Sequence, residues 1–516
     1  MPALRGHRGA GRLWSYPWLL QVCAHGARAS GRAKGQVFII TEGQLLAERI
    51  TLVPQGRVPL AEQIYRQIRD LARHGRLPSG MALPSSRALA GQLGVSRNTV
   101  SAAYDLLRAE DLVITRPGAV AVLNIPATFA LTDRRVQTVG RPVSLAPAGH
   151  ALSAPLPATV EGARLRPGRP DPRLFPRDAW ARALRRAGRT LSGDALLYGD
   201  SHGLAALRRV LARTLAETRG LHVDPEHLLI LPTVRAGLGL LARCLCADGD
   251  SVWLEEPGYP GAMQAFGTLR RVALPVDGNG ADVSAMPQDA PRLIYVTPSH
   301  QYPTGTRMSL SRRLALVARA RECGALVVED DYDSEFLWSG RPVPALGALA
   351  EAGEVATLGT VAKSLLPGLR LAWLAAPPHL APALIRAQTS LGLMANVHAQ
   401  AALADFMDGG QYRRHLERIS RVYRNRGETL RGALLAHCGN HVAIPPLIGG
   451  LHMAVRFAPG VDDVAVSTAL GQAGFGVPPL SQFYQGRGSP GLVVAFAQAD
   501  EATTREFATR LARLLA

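Results

Sequence analysis

Lysine is almost missing from this chain. Of 58 Lys and Arg residues, only Lys34 and Lys363 are lysines, and all the others are arginines. As exposed charges the two types are nearly interchangeable, so a sequence that writes its cations as arginine has little surface reason to keep a lysine. They differ where a neutral amine is needed. Arginine keeps its proton in a protein, whereas a desolvated lysine can lose it and attack a carbonyl to form a Schiff base.

Cysteine is scarce too. Cys23, Cys244, Cys246, Cys323 and Cys438 include no Cys-x-x-Cys pair and no histidine at zinc spacing. That excludes a disulfide-stapled scaffold and a cysteine zinc site, and no metal is expected. Cys244 and Cys246 fall in an apolar helical run and read as core. An odd, sparse set fits a reducing cytoplasm. Long apolar runs are also lacking: none reaches the ~18–20 residues that cross a bilayer, so no membrane partner is expected. The first 41 residues contain no acid and carry Arg5, Arg8, Arg12, Arg28, Arg32 and Lys34 around "LWSYPWLLQVCA" (13–24). Ser, Pro and Gln interrupt that stretch, which makes a poor signal peptide. Residues 1–50 instead read as a disordered basic extension, of the kind an upstream start codon would add. Lys363 is then the only lysine of the folded parts.

What is present is a chain of 516 residues, 47% hydrophobic and 19% charged, enough for two or three domains with real cores. The formal net charge is +18 and is unevenly spread. Residues 1–130 hold 16 basic and 7 acidic side chains, half of the excess in a quarter of the length. Such a module suits a polyanion.

Within it, Leu60, Ile64, Ile68 and Leu71 recur at helical spacing, with arginines on the opposite face. After a Pro/Gly/Ser turn, residues 87–112 read as helix, turn, helix: Gly94 ends the first and Ser96 caps the second. A tight pair of this kind presents its second helix to a DNA major groove. Arg97, Asn98 and Thr99 in its first turn suit base edges and phosphates. Residues 113–123 read as a two-stranded wing. The stretch "LPSSRALAGQLGVSRNTVSAAYDLL" resembles the winged helix of GntR-type bacterial regulators. The resemblance implies a domain over 56–124 that binds a double-stranded DNA operator, with Ser86, Arg87, Ser96, Arg97, Asn98 and Thr99 facing it. The wing departs from the usual Gly-Ser-Gly-Thr, reading Gly118-Ala119-Val120-Ala121.

Residues 125–160, rich in Pro, Ala and Thr, read as a linker. From 161 to 516, helical stretches alternate with short apolar segments at 227–232, 250–255, 292–297, 325–330, 355–360 and 369–377. That alternation predicts an α/β domain with a mostly parallel sheet and ligands at the strands' C-terminal ends. Asp330, Asp331 and Asp333 fall at one such end; Thr360 and Lys363 fall at another. A pyridoxal-phosphate site needs these residue types: an amine for the aldehyde, a carboxylate for the pyridine nitrogen, an aromatic for the ring, and cations for the phosphate.

"LLYGDSHGLAALRRVLA" (196–212), "EEPGYPG" (255–261), "VTPSHQYPTGTRMSLSRR" (296–313), "VEDDYDSEFLWSGRPVPAL" (328–346), "GTVAKSLLPGLRLAW" (359–373) and "GGLHM" (449–453) together resemble a fold-type-I aminotransferase domain with a smaller C-terminal subdomain. The joined chain resembles the MocR branch of the GntR regulators. The resemblance implies that Lys363 is the internal-aldimine lysine, that Asp330 partners the pyridine nitrogen and Tyr332 the ring hydroxyl, and that Tyr259 stacks on the ring. Thr360 and Arg370 would hold the phosphate. It also implies a homodimer. Two departures stand out. Residues 233–236 read Thr-Val-Arg-Ala where the family has Gly-Ser-Gln-Gln, with Arg235 in place to compensate. The strand "GLVVAFA" (491–497) lacks the arginine with which aminotransferases hold a substrate carboxylate. The expectation is a cytoplasmic transcriptional regulator that senses pyridoxal phosphate, or its adduct with a small amine or amino-acid-like effector. The alternative is a working aminotransferase with an accessory DNA-binding domain.

Overall fold

The computed structural model describes residues 46–516 apart from 57, 116–119, 127–162, 198, 286–289, 341–342 and 352. Most of the basic extension, most of the linker, and Gly118 and Ala119 of the wing therefore lie outside the described residues. The chain divides into two compact units, Met1–Val143 and Ser144–Ala516.

The first unit is built on three helices, α1 (Leu60–Arg73), α2 (Ser86–Leu93) and α3 (Arg97–Ala109), followed by the short antiparallel pair β1 (Val113–Ile114) and β2 (Val122–Leu123). Helix α1 buries Ile64, Ile68 and Ala72, the stripe expected from spacing, with Ala72 taking the place of Leu71. Gly94 ends α2 in the left-handed region (φ 68°), which glycine adopts without strain. Ser96 then caps α3 by accepting a hydrogen bond from the Thr99 N–H. Val100, Ala103, Tyr104 and Leu107 of α3 pack on the buried face of α1. Leu46 and Ile50 are buried in the same core. They fall within the stretch read as extension, and it is their apolar burial that draws the ordered chain upstream of residue 56.

The second unit centres on an eight-stranded sheet: β3 (Leu228–Leu231), β4 (Ser251–Glu256), β5 (Arg270–Asp277), β6 (Gly280–Ala281), β7 (Leu293–Val296), β8 (Leu326–Asp331), β9 (Val355–Thr360) and β10 (Ala372–Ala375), in the spatial order β3-β10-β9-β8-β7-β4-β5-β6. Strands β9, β8, β7, β4 and β5 run parallel, while β10 is antiparallel to both β9 and β3. All six expected segments form strands, and the sheet is mostly parallel as expected. Strand β5 was not expected: "RRVALPVD" has exposed arginines and a proline, and its partly exposed position, flanked on the outside only by the two-residue β6, hides it from a search for apolar runs. Strand β7 inside the sheet and β3 at its end are both fully buried, which is why they read as unbroken apolar runs.

Helix α4 (Val234–Leu245) packs over the sheet. The long α5 (Gln411–Cys438) leads into a three-stranded antiparallel sheet, β11 (Val442–Ala443), β12 (His452–Phe457) and β13 (Gly491–Ala495), and α6 (Glu501–Leu515) follows. Ile419, Tyr423 and Leu430 of α5, Val455 of β12, and Phe507 and Leu511 of α6 share one core. This is the smaller C-terminal subdomain. Among the described residues no helix is long and apolar enough to cross a membrane.

Candidate functional site

A cavity of ≈ 470 Å³ opens at the C-terminal ends of the parallel strands, and Lys363, Asp330, Tyr332, Tyr259, Thr360, Arg370 and Arg235 all line it. Seven side chains named from a sequence that scatters them over 136 positions thus meet in one place. Lys363 sits on the turn after β9, and its Nζ donates to the Gly168 carbonyl at 2.9 Å. Burial lowers its pKa, while the charges of Asp333 and Asp330 pull the other way. The amine therefore lies closer to its neutral, nucleophilic form than an exposed lysine does.

Asp330 is the penultimate residue of β8 and is buried. Its Oδ2 accepts from the Tyr295 hydroxyl at 2.8 Å, while Oδ1 has no partner. Burial raises its carboxyl to about 7, against the hydrogen bond from Tyr295 and the charge of Lys363. The rest of the acidic run is accounted for locally. Asp331 pairs with Arg219 at 2.8 Å, and Asp333 takes a hydrogen bond from His300 Nδ1 at 3.0 Å.

The Tyr332 hydroxyl donates to the His300 carbonyl at 2.8 Å. Tyr259 packs edge-on against Tyr302, with ring centroids 5.6 Å apart, and its hydroxyl accepts from Arg235 Nε at 3.3 Å. The Thr360 hydroxyl donates to the Leu371 carbonyl and accepts from the Ala362 N–H, both at 3.0 Å. These two bonds shape the turn that carries Lys363. Arg370 projects from the same turn, in the left-handed region at φ 54°.

Residues 233–236 form the start of α4. Thr233 is its N-cap, with the side chain accepting from the Ala236 N–H at 3.1 Å. A helix of 12 residues thus directs its positive end at the cavity, with Arg235 in the first turn. Such a helix end, with a cation beside it, suits an anion.

Several residues of the site had no sequence signal. Gly168, with Arg166 and Arg169, comes from the segment entering the domain. These two arginines line the cavity although strand β13 and the residues after it are apolar as read. Tyr295 lies inside an apolar strand, and only the fold brings its hydroxyl to Asp330. His452 was quoted within "GGLHM" without a role.

At the other unit, Ser86, Arg87, Ser96, Arg97, Asn98 and Thr99 all sit at the N-terminal turns of α2 and α3, exposed or half-buried. Ser96 Oγ also lies 2.8 Å from Thr99 Oγ1, so both hydroxyls are engaged in the cap.

Asp330 tests the fit of pyridoxal phosphate to this cavity. A buried carboxylate oxygen without a partner, facing a cavity lined by a lowered-pKa lysine, suits a protonated ring nitrogen. The cationic helix end suits a phosphate. A winged helix joined to an aminotransferase-type domain is a regulator built on an enzyme scaffold. The comparisons agree. Residues 60–122 match the bacterial regulatory proteins of the gntR family, and residues 170–511 match aminotransferase class I and II. The "Probable rhizopine catabolism regulatory protein MocR" of Rhizobium meliloti is 35% identical over 455 residues, 87% of this chain and 92% of that protein. The "HTH-type pyridoxine biosynthesis transcriptional regulator PdxR" of Corynebacterium glutamicum is 35% identical over 461 residues, 88% of this chain and 96% of that one. Among solved structures, the α-aminoadipate aminotransferase LysN of Thermus thermophilus, complexed with N-(5′-phosphopyridoxyl)-L-leucine, matches with a TM-score of 0.63 and 31% identity, covering 69% of this chain and 92% of that one. The chain belongs to the MocR-type GntR family of transcriptional regulators: it binds DNA through its helix-turn-helix, and its cofactor is pyridoxal phosphate.

Proposed function

We propose that the second unit is a sensor, and that pyridoxal phosphate, alone or reacted with an amine, sets the affinity of the first unit for its operator. The unpartnered Asp330 oxygen and the Lys363 amine lining one cavity carry this reading. Pyridoxal phosphate, when bound, supplies an aldehyde that condenses with an amine and a ring that draws electrons from it. Lys363 is the amine that anchors it, and Asp330 holds the proton at the ring nitrogen. Tyr259 covers the ring, and Tyr332 lies by its hydroxyl. Arg370, Arg235 and the amino end of α4 hold the phosphate, while Thr360 fixes the turn.

The protein acts in the cytoplasm as a homodimer. A module over 56–124 reads DNA, a linker over 125–160 gives it reach, and the domain over 161–516 senses. Ser86, Arg87, Arg97 and Asn98 face the operator, with Ser96 and Thr99 positioning them. Two winged helices on one two-fold axis engage two half-sites. An effector shifts the protein between forms only by its difference in affinity for them, typically ~1–3 kcal/mol, or several-fold to about a hundredfold in DNA binding. Turnover is not needed. One relative is named a regulator of pyridoxine biosynthesis, in keeping with sensing a pyridoxine-derived cofactor.

The test is operator binding titrated with pyridoxal phosphate and with candidate amines, beside a keto-acid assay on the same preparation. A change in DNA affinity with negligible keto acid is expected. Rapid turnover with DNA affinity indifferent to the cofactor would overturn the reading in favour of an aminotransferase.

A further inference from the structure

His300, Asp333 and His452 come together from three separate parts of the second unit. His300 lies on the segment after β7, Asp333 follows β8, and His452 opens β12 of the small sheet. All three are buried, and one ligand atom from each lies within 4.8 Å of the others. His300 Nδ1 is 3.0 Å from Asp333 Oδ2 and 3.1 Å from the Tyr332 hydroxyl. The Pro303 backbone bonds one nitrogen of the His452 ring, while its Nε2 is buried without any partner.

Asp333 feels the charge of Lys363, but the described residues give its carboxylate no close ion pair with an arginine or lysine. A buried carboxylate is costly unless a cation or several donors satisfy it. Its neighbours are provided for: Asp331 has Arg219, and Glu329 has Arg313 at 3.9 Å together with the Leu346 N–H and the Thr357 hydroxyl. The side-chain hydrogen bond given to Asp333 is one imidazole N–H.

His300 is also seated with unusual closeness. A side chain at Gly450 would place its Cβ 2.0 Å from the His300 ring, and one at Gly305 would come within 3.0 Å of Nε2. Both glycines have positive φ, 77° and 75°. Bare backbone therefore holds the ring on two sides and fixes its direction.

We propose that His300, Asp333 and His452 bind a divalent transition ion of the zinc class. Two imidazoles and one carboxylate are a donor set for such an ion, with a fourth position left for Tyr332 or water. Binding engages the lone pair of His452 Nε2, neutralises Asp333, and takes the His300 tautomer with its proton on Nε2, so that Nδ1 offers its lone pair to the ion. Metal–ligand bonds of roughly 2 Å put tetrahedral ligand atoms roughly 3.3 Å apart, so the cluster closes by no more than about 1.5 Å. The ion would join the large sheet to the small one beside the cofactor cavity, which His452 and Tyr332 both line. Cysteine spacing gives no hint of such a site, because its ligands are far apart in the chain and none is cysteine.

The full-length protein, stripped with chelator and with its cysteines alkylated, is titrated with Zn²⁺ by calorimetry while its thermal unfolding is followed. One equivalent per chain and a higher Tm are expected. Asp333→Asn keeps the shape, and His452→Phe keeps the bulk; each should lose the equivalent and the Tm gain while its circular dichroism stays native. Absence of a stoichiometric site in the unsubstituted protein overturns the proposal, whether or not the variants fold. Undiminished binding in folded Asp333→Asn and His452→Phe does so too.

Discussion

Lys363 gives a hydrogen of its amine to the carbonyl of Gly168, 2.9 Å away and 195 residues earlier in the chain. The contact places the chain's one described lysine against the segment that enters its domain. Gly168 has φ +82°, and a Cβ built on it would lie 3.2 Å from Nζ. The close approach and the backbone angle both call for glycine at this point.

Gly168→Ala should therefore disturb the lysine as well as the backbone. Positive φ costs a residue with a Cβ ~1–2 kcal/mol, and the methyl displaces the amine. Pyridoxal phosphate uptake, followed by absorbance, should weaken by about an order of magnitude, with a modest fall in Tm. Uptake at unchanged affinity would show that this carbonyl does not position Lys363.

Lys363→Arg keeps the charge and removes the nucleophile. The visible band near ~420 nm given by lysine-linked pyridoxal should vanish, while non-covalent cofactor can still be retained. A spectrum unchanged from the unsubstituted protein would remove Lys363 from its assigned role.

How far the sequence exposed this site depends on the kind of signal each residue left. Lys363 stood out because the composition around it excludes lysine, and Asp330 because it ends an apolar strand. The strands of the central sheet were plain because both of their faces are buried. Tyr295, Gly168 and His452 left no such mark. Their importance arises from what they touch across the fold, and a period-two or period-3.6 pattern carries no record of that.

In the DNA-binding unit, two neighbouring substitutions should separate reading from scaffolding. Arg97→Ala removes an exposed side chain from the first turn of α3. It should cost roughly 1–3 kcal/mol on the operator and far less on random DNA if it pairs with a base. Ser96→Ala removes the cap on the Thr99 N–H and should cost ~1 kcal/mol of stability in that unit, weakening operator and random DNA alike. Both are read from binding curves on the two DNAs at one salt concentration, with melting of each variant alongside. Equal losses for Arg97→Ala on both DNAs would make it a phosphate contact.

The pH dependence of cofactor binding tests Asp330. Burial raises its carboxyl to about 7, so without a ring nitrogen opposite it the group is mostly protonated below that pH. A pyridine nitrogen docked on it shares a single proton with the carboxylate. Below pH 7 Asp330 brings that proton itself, and the pair exchanges none with solvent on binding. Above pH 7 the free protein has lost it, and the complex must take one up. The bound state then holds more protons than the free state, so raising the pH opposes binding, by up to about tenfold per unit. Lys363 works in the opposite sense, since its amine must lose a proton, and burial has already lowered its pKa. Asp330→Asn has no proton to share and leaves Lys363 in place. Pyridoxal phosphate affinity measured from about pH 6 to about pH 9 should thus fall more steeply with rising pH in the unsubstituted protein than in Asp330→Asn, the two curves drawing together above pH 7. Parallel curves across that range would mean that Asp330 does not hold the proton of the ring nitrogen.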